Sequence, residues 1–249
     1  MSHNPTAAVL VIGDEILSGR TQDTNTGYIA KFLGVLGIDL REARTVSDVE
    51  NEIVAAVNAL RARYTYVFTT GGIGPTHDDI TADAIATAFG VGIDYHPEAL
   101  EMLAARYKPG EFNEMRKRMA RIPLGASLVK NNVSTAPGFQ IENVFVMAGV
   151  PMIMRAMLEE LAPRLQRGRQ VLSVTISIRL PEGRIAAALA QIQKDHQSVA
   201  IGSYPFYRED GFGTQLVVRS SNSAALEAAA QAVEAAVRAE GGEPVRLTN

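Results

Sequence analysis

Along the first part of the chain, short continuous apolar runs alternate with segments whose apolar residues recur every three or four positions. Residues 7–12 form such a run and predict a buried parallel strand. A long polar loop follows over 13–24. Tyr28, Ile29, Phe32, Leu33 and Leu36 keep helical spacing across 25–36, and Gly37 supplies the stop. A second strand is expected over 39–46. Ser47 and Glu50 then match a capping box that opens a helix reaching Arg63. Residues 64–70 read as a third strand, and Ile80, Ala84, Ile85, Ala88 and Phe89 mark the helix after it. This βαβαβ order predicts an α/β fold: a mostly parallel sheet with helices on both faces.

The pattern changes twice more. Residues 96–120 read as two polar helices split at Pro109 and Gly110, and 127–130 and 143–147 read as further strands. Pro151 suits the first turn of a helix running to about 165. The polar stretch 166–169 looks like a boundary, giving domains 1–166 and 170–249. The second carries strand, helix, strand, strand, helix, strand over 171–180, 183–194, 198–204, 213–219, 224–239 and 243–247. That βαββαβ order matches a small α+β, ferredoxin-like module.

Composition narrows the chemistry. The 249 residues are 47% hydrophobic and 20% charged, ordinary for a globular protein, with a formal charge of -3. That charge gives no case for nucleic acid or an anionic membrane as partner. No apolar run is long enough to span a bilayer, and the first six residues are polar, so a cytoplasmic protein is expected. The absence of cysteine excludes disulfides and thiolate metal sites.

In a parallel sheet, ligands bind beyond the carboxyl ends of the strands. Two loops fall there. One follows the first strand and carries Asp14, Glu15, Asp23 and Asn25. The other follows the third and carries Gly71, Gly72, Gly74, Pro75, Thr76, His77, Asp78, Asp79 and Thr81. A strand order of 2-1-3 places them side by side. Glycines bring backbone N–H groups close to an anion, and the following helix start adds its dipole. Adjacent carboxylates suit a hard cation such as Mg²⁺ or Mn²⁺, which bridges to phosphate oxygens and activates water. Asp83 lies one turn beyond Asp79 on the same helix face, as a ligand or a supporting acceptor. An aspartate at a helix start also serves as an N-cap, and both readings stand for Asp79. Arg116, Lys117 and Arg118 suit a phosphate tail or a solvated helix face. Ser134 and Thr135 lie in a polar loop that suits either ligand closure or a plain connection.

These two motifs, in this order, resemble the molybdopterin-binding-domain superfamily. The resemblance is strongest to the N-terminal domain of the CinA (competence/damage-inducible protein A) family and to the molybdopterin-binding-like domain of FAD synthases. Residues 134–138 and 149–151 resemble the same group, and Gly202, Ser203, Tyr204 and Pro205 resemble a segment that follows this domain in FAD synthases. The resemblance implies a three-layer α/β fold and one of two functions. The first is a metal-dependent pyrophosphatase releasing AMP from FAD or ADP-ribose, with Mg²⁺, Mn²⁺ or Co²⁺, and with K⁺ as a further cation. Asp14, Asp78 and Asp79 would carry catalysis, with Glu15 and Asp83 among the metal ligands. Gly71, Gly72, Gly74, Pro75, Thr76, Thr81, Asp23, Asn25, Ser134 and Thr135 would hold the ligand. The second is a module that binds molybdopterin without hydrolysis. Pro75, Thr76, His77, Asp78 and Asp79 in sequence resemble the first branch more. Ala148 stands where that family often has proline. The amidase of CinA and the adenylyltransferase of FAD synthase have no counterpart in the sequence, so neither activity is expected. The ferredoxin-like module offers exposed strands through which a homo-oligomer is expected to form.

Overall fold

A computed structural model describes residues 4–108, 110–208 and 211–247. Strand β1 (Thr6–Ile12) runs through the middle of the first unit because its two faces feed two cores. Ala8, Leu10 and Ile12 join one apolar cluster, and Ala7, Val9 and Val11 join the other, as a period of two dictates. The chain continues through α1 (Asp14–Leu17), α2 (Asn25–Val35), β2 (Asp39–Val46), α3 (Glu50–Arg63), β3 (Tyr66–Thr70) and α4 (Thr81–Phe89). Then come β4 (Ile93–Tyr95), α5 (Pro97–Ala104), α6 (Glu114–Lys117), a 3₁₀ turn (Arg118–Ala120) and β5 (Arg121–Pro123). Three more strands, β6 (Ser127–Val129), β7 (Gly138–Ile141) and β8 (Val144–Met147), precede α7 (Pro151–Leu161).

The main sheet has the order β2-β1-β3-β8-β7-β6. β2, β1, β3 and β8 are parallel, and β7 and β6 turn back antiparallel. The predicted 2-1-3 order is therefore present, and the carboxyl ends of β1 and β3 are neighbours. Helices α3, α4 and α5 bury Ile53, Leu60, Ile85 and Leu103 on one face, and α2 and α7 bury Ile29, Leu33, Met154 and Leu158 on the other. This is the expected three-layer arrangement. Phe68 and Phe145 stack in the second core with centroids 5.0 Å apart, and Phe68→Ala would cost about 3–5 kcal/mol.

Several local expectations are corrected. The polar loop after β1 contains the helical turn α1. The capping box does not form: Val49 is the N-cap of α3 and gives no side-chain cap, while Asp48 reaches across to α1. β7 emerges from the end of a segment read as loop, and β4 pairs with β5 in a small antiparallel ladder. Pro109, half of the predicted break, lies outside the described residues.

The chain divides into two compact units, Met1–Gly168 and Arg169–Asn249. The second contains β9 (Leu172–Ile178), α8 (Glu182–Asp195), β10 (Ala200–Arg208), β11 (Gly211–Ser220), α9 (Ser223–Ala239) and β12 (Val245–Leu247). Its antiparallel sheet has the order β10-β11-β9-β12, the ferredoxin-like arrangement. Asn222 caps α9 by accepting from the Ala224 and Ala225 amides. Arg246 of β12 pairs with Glu227 and Glu234 of α9, fastening the last strand to its helix. Among the described residues no helix is long and apolar enough to cross a membrane.

Candidate functional site

The glycine loop leaves β3 through two positions that tolerate no side chain. Gly71 has φ +111°, and a Cβ there would overlap the Ile12 carbonyl oxygen of β1. Gly72 has φ +67°, and a Cβ there would overlap the Thr81 hydroxyl. Thr81 lies fully buried behind the loop, donating its hydroxyl to the Gly71 carbonyl at 3.0 Å and its amide to the Gly72 carbonyl at 3.0 Å. It shapes the loop instead of facing a ligand. Asp79 Oδ2 accepts from the Thr76 amide at 2.8 Å and the Thr76 hydroxyl at 2.5 Å. Asp79 is thus the clasp of the turn, and Ile80 holds the N-cap position of α4. Between these two fasteners, the amides of Gly72, Ile73 and Gly74 find no acceptor among the described residues. Consecutive N–H groups without acceptors are an arrangement able to receive an anion.

The loop after β1 has the opposite character. The Asp14 amide donates to Asp48 Oδ2 at 2.9 Å, and the Thr21 amide to the Glu15 carbonyl at 2.9 Å. Asp14 and Glu15 are left exposed. Asp23 Oδ1 accepts from the amides of Asn25 and Thr26 at 2.8 and 3.2 Å, so its carboxylate secures the start of α2. Burial pushes the Asp48 carboxyl above its ordinary range; the Asp14 amide opposes this, while the charges of Asp14, Glu15 and Asp78 add to it. Asp78 lies lower than an ordinary aspartate. The Thr76 hydroxyl favours its ionised form most, although the directed bond of that hydroxyl goes to Asp79; its own amide and His77 help. His77 is almost fully exposed, 3.9 Å from Asp78.

Asn25 ties the roots of these loops together. It is buried, and its Nδ2 donates to Thr70 Oγ1 and to the Gly149 carbonyl, both at 2.8 Å. The Thr70 hydroxyl in turn donates to the Ala148 carbonyl at 2.9 Å. The polar loop before β7 is organised by Asn131, whose Oδ1 accepts from the amides of Val133 and Ser134 and from the Ser134 hydroxyl. Thr135 sits at φ +60° with a buried, unpartnered hydroxyl. A β-branched residue there is strained, a condition concentrated at functional sites.

These loops surround an open cleft of about 640 Å³. Its wall includes Glu15, the residues 71–75, Asp79 and Ser134, together with Arg106, Tyr107 and Met119 from the segment after α5. Such a volume suits a nucleotide-sized molecule. Asp14 and Asp78 stand next in sequence to wall residues, and Asp23 and Asn25 line a smaller pocket beside it. Asp83 is drawn away: Arg121 takes both its oxygens, at 2.9 and 2.7 Å. No group of three or more carboxylates or histidines among the described residues is close enough to hold a metal ion by itself. Sequence reasoning missed Asp48, Arg106 and Tyr107. Asp48 was findable, because it follows the carboxyl end of β2, the same rule that marked the other two loops.

The chain is similar to proteins of known sequence over nearly its whole length. A probable FAD synthase of Caenorhabditis briggsae is 31% identical over 250 residues, covering 90% of this chain and 48% of that protein. The chain thus spans about half the length of that relative. Protein TK1472 of Thermococcus kodakarensis is 36% identical, covering 92% of this chain and 96% of that one. Among solved structures, the protein CinA of unknown function from Thermoplasma acidophilum matches with a TM-score of 0.62 and 33% identity, over 66% of this chain and 99% of that chain. Residues 170–244 match the FAD synthase middle domain. Residues 8–167 match the probable molybdopterin binding domain, and the chain belongs to that family.

Proposed function

We propose that this protein hydrolyses the diphosphate of a nucleotide such as FAD or ADP-ribose, releasing AMP, with a divalent cation recruited alongside the substrate. The observation that carries this reading is the run of three amides at 72–74 without acceptors among the described residues, in residues that line the same cleft as Glu15 of the loop after β1. The succession of the two matched domains, shared with proteins named as probable FAD synthases, supports a flavin- or adenine-containing ligand. The described carboxylates do not complete a cation site alone, so a cation here would take its remaining ligands from the substrate phosphates. Asp14, Glu15 and Asp78 are the residues that would hold such an ion, which neutralises phosphate charge and activates water when bound.

The amides of 72–74 donate to the diphosphate oxygens and fix the phosphorus. Asp78, an exposed carboxylate next in sequence to the cleft wall, accepts the proton of the attacking water. Water adds to the adenylate phosphorus, the bridging P–O bond breaks, and AMP leaves with the other phosphate monoester as co-product. Thr76 and Asp79 keep the loop closed during the step. Incubation with FAD or ADP-ribose in Mg²⁺, Mn²⁺ or Co²⁺ and K⁺, followed by chromatography, should release AMP. The Asp78→Asn, Asp79→Asn double variant should not. AMP release that survives in the double variant rules out this assignment.

The family description favours one second reading, a pterin-binding module without hydrolysis. Tight binding of molybdopterin by a preparation that releases no AMP would establish it.

A further inference from the structure

Arg116, Lys117 and Arg118 read alike in the sequence, and the fold separates them. The Arg116 guanidinium lies 4.3 Å from the centroid of the Tyr107 ring and donates to the Glu111 carbonyl. Lys117 pairs with Glu114 at 2.6 Å. Arg118 opens the 3₁₀ turn, is half-buried, and has no hydrogen-bond or ion-pair partner among the described residues. It borders a small cavity whose wall also contains Gly72, Ile73, Gly74 and Asp79. Arg121 and Asp83 border the same cavity and neutralise each other. Asp79 has Oδ2 committed to Thr76. A partly desolvated guanidinium is therefore left without a direct hydrogen-bond or ion-pair partner beside three amides that also lack acceptors among the described residues, with the Asp79 carboxylate in the same wall. Both deficits are met at once by an anion seated between them, and a planar guanidinium is shaped for two phosphate oxygens.

We propose that Arg118 is a phosphate-binding residue that grips the same diphosphate as the amides of 72–74. This rests on the reading of that loop as an anion site, and it adds what the loop lacks: a full positive charge. Amides alone would accept many anions. An arginine added at one side favours a ligand with at least two phosphate groups over a monophosphate or a neutral nucleoside.

The test is calorimetric titration of ADP, AMP and adenosine at fixed Mg²⁺ concentration, into the full chain and into Arg118→Gln, Arg118→Lys and Lys117→Gln. Arg118→Gln should weaken ADP binding about tenfold or more and leave adenosine unchanged. Arg118→Lys, which keeps the charge and loses the fork, should fall between. Lys117→Gln should match the unaltered protein, because its charge is spent on Glu114. Equal ADP affinity in Arg118→Gln and the unaltered protein overturns the assignment. If the unaltered protein prefers ADP no more than adenosine, the anion site falls and Arg118 with it. ADP binding that depends on Arg118, without AMP release from FAD or ADP-ribose, leaves this assignment standing and removes the hydrolase reading alone.

Discussion

The loops after β1 and β3 spring from adjacent parallel strands and solve opposite problems. The first presents carboxylates and spends its backbone donors internally: the Asp14 amide goes to Asp48, and the Thr21 amide to Glu15. The second commits Thr76, Asp79 and Thr81 to holding the turn and presents backbone: three of its amides have no acceptor among the described residues. The first is negative through its side chains; the second sets main-chain donors beside the exposed carboxylate of Asp78. The lesson is that acidic residues in a motif are not equivalent. Asp78 is free to act, Asp79 is a clasp, and Asp83 belongs to Arg121.

The sharpest way to break the amide-bearing loop is Gly71→Ala. The added methyl meets the Ile12 carbonyl at a backbone angle that disfavours side chains, and about 2 kcal/mol or more of stability should be lost. A lower melting temperature and abolished ligand binding are expected. A variant that melts and binds like the original would show that the loop root yields. Next in size is Asp78→Asn, at the exposed carboxylate of that same loop. Hydrolysis should fall about a hundredfold with the melting temperature unchanged, since the Asp78 side chain is exposed and a general base contributes about that much. Steady-state rates and a thermal melt separate the two effects.

Asp48→Asn probes how the first loop is fastened. The folded protein raises the Asp48 carboxyl, so folding takes up a proton there and the ionised form is a burden. That burden is absent below the unfolded pKa and complete once pH exceeds the folded one. The amide still accepts from Asp14, so Asp48→Asn should raise the melting temperature slightly at pH 8 and leave it unchanged near pH 3. A rise at both pH values would assign the gain to something other than charge. The smallest effect is expected from His77→Ala: an almost fully exposed ring with one long contact to Asp78 should leave hydrolysis within about twofold. A hundredfold loss would promote His77 to the chemistry.

The parts of the fold legible in the sequence were those in which one segment carries its own signal. Residues 7–12 are apolar on both faces because β1 is covered on both faces. The small β4–β5 ladder and β7 were not legible: three or four residues hold no period, and only the fold shows β4 paired with β5 and β7 paired with β6 and β8. The same limit hid the roles of individual charges. Asp48 sits inside a capping-box pattern, yet its carboxylate crosses to another loop. The triplet 116–118 looks uniform, and only packing shows that two of its cations are occupied and the third is not. Position of the loops followed from topology, whereas the partner of each side chain depended on tertiary contact.

Asn25 has a consequence for how this cleft can change. A single amide joins the start of α2, the end of β3 and the turn after β8, and all three anchor points lie beneath the loop tips. The tips are in effect interchangeable panels on a shared crossbeam. Retargeting the cleft to a ligand of different length or charge would require new panels at 14–22 and 73–79, while Asn25, Thr70 and the carbonyls of Ala148 and Gly149 are kept as the frame.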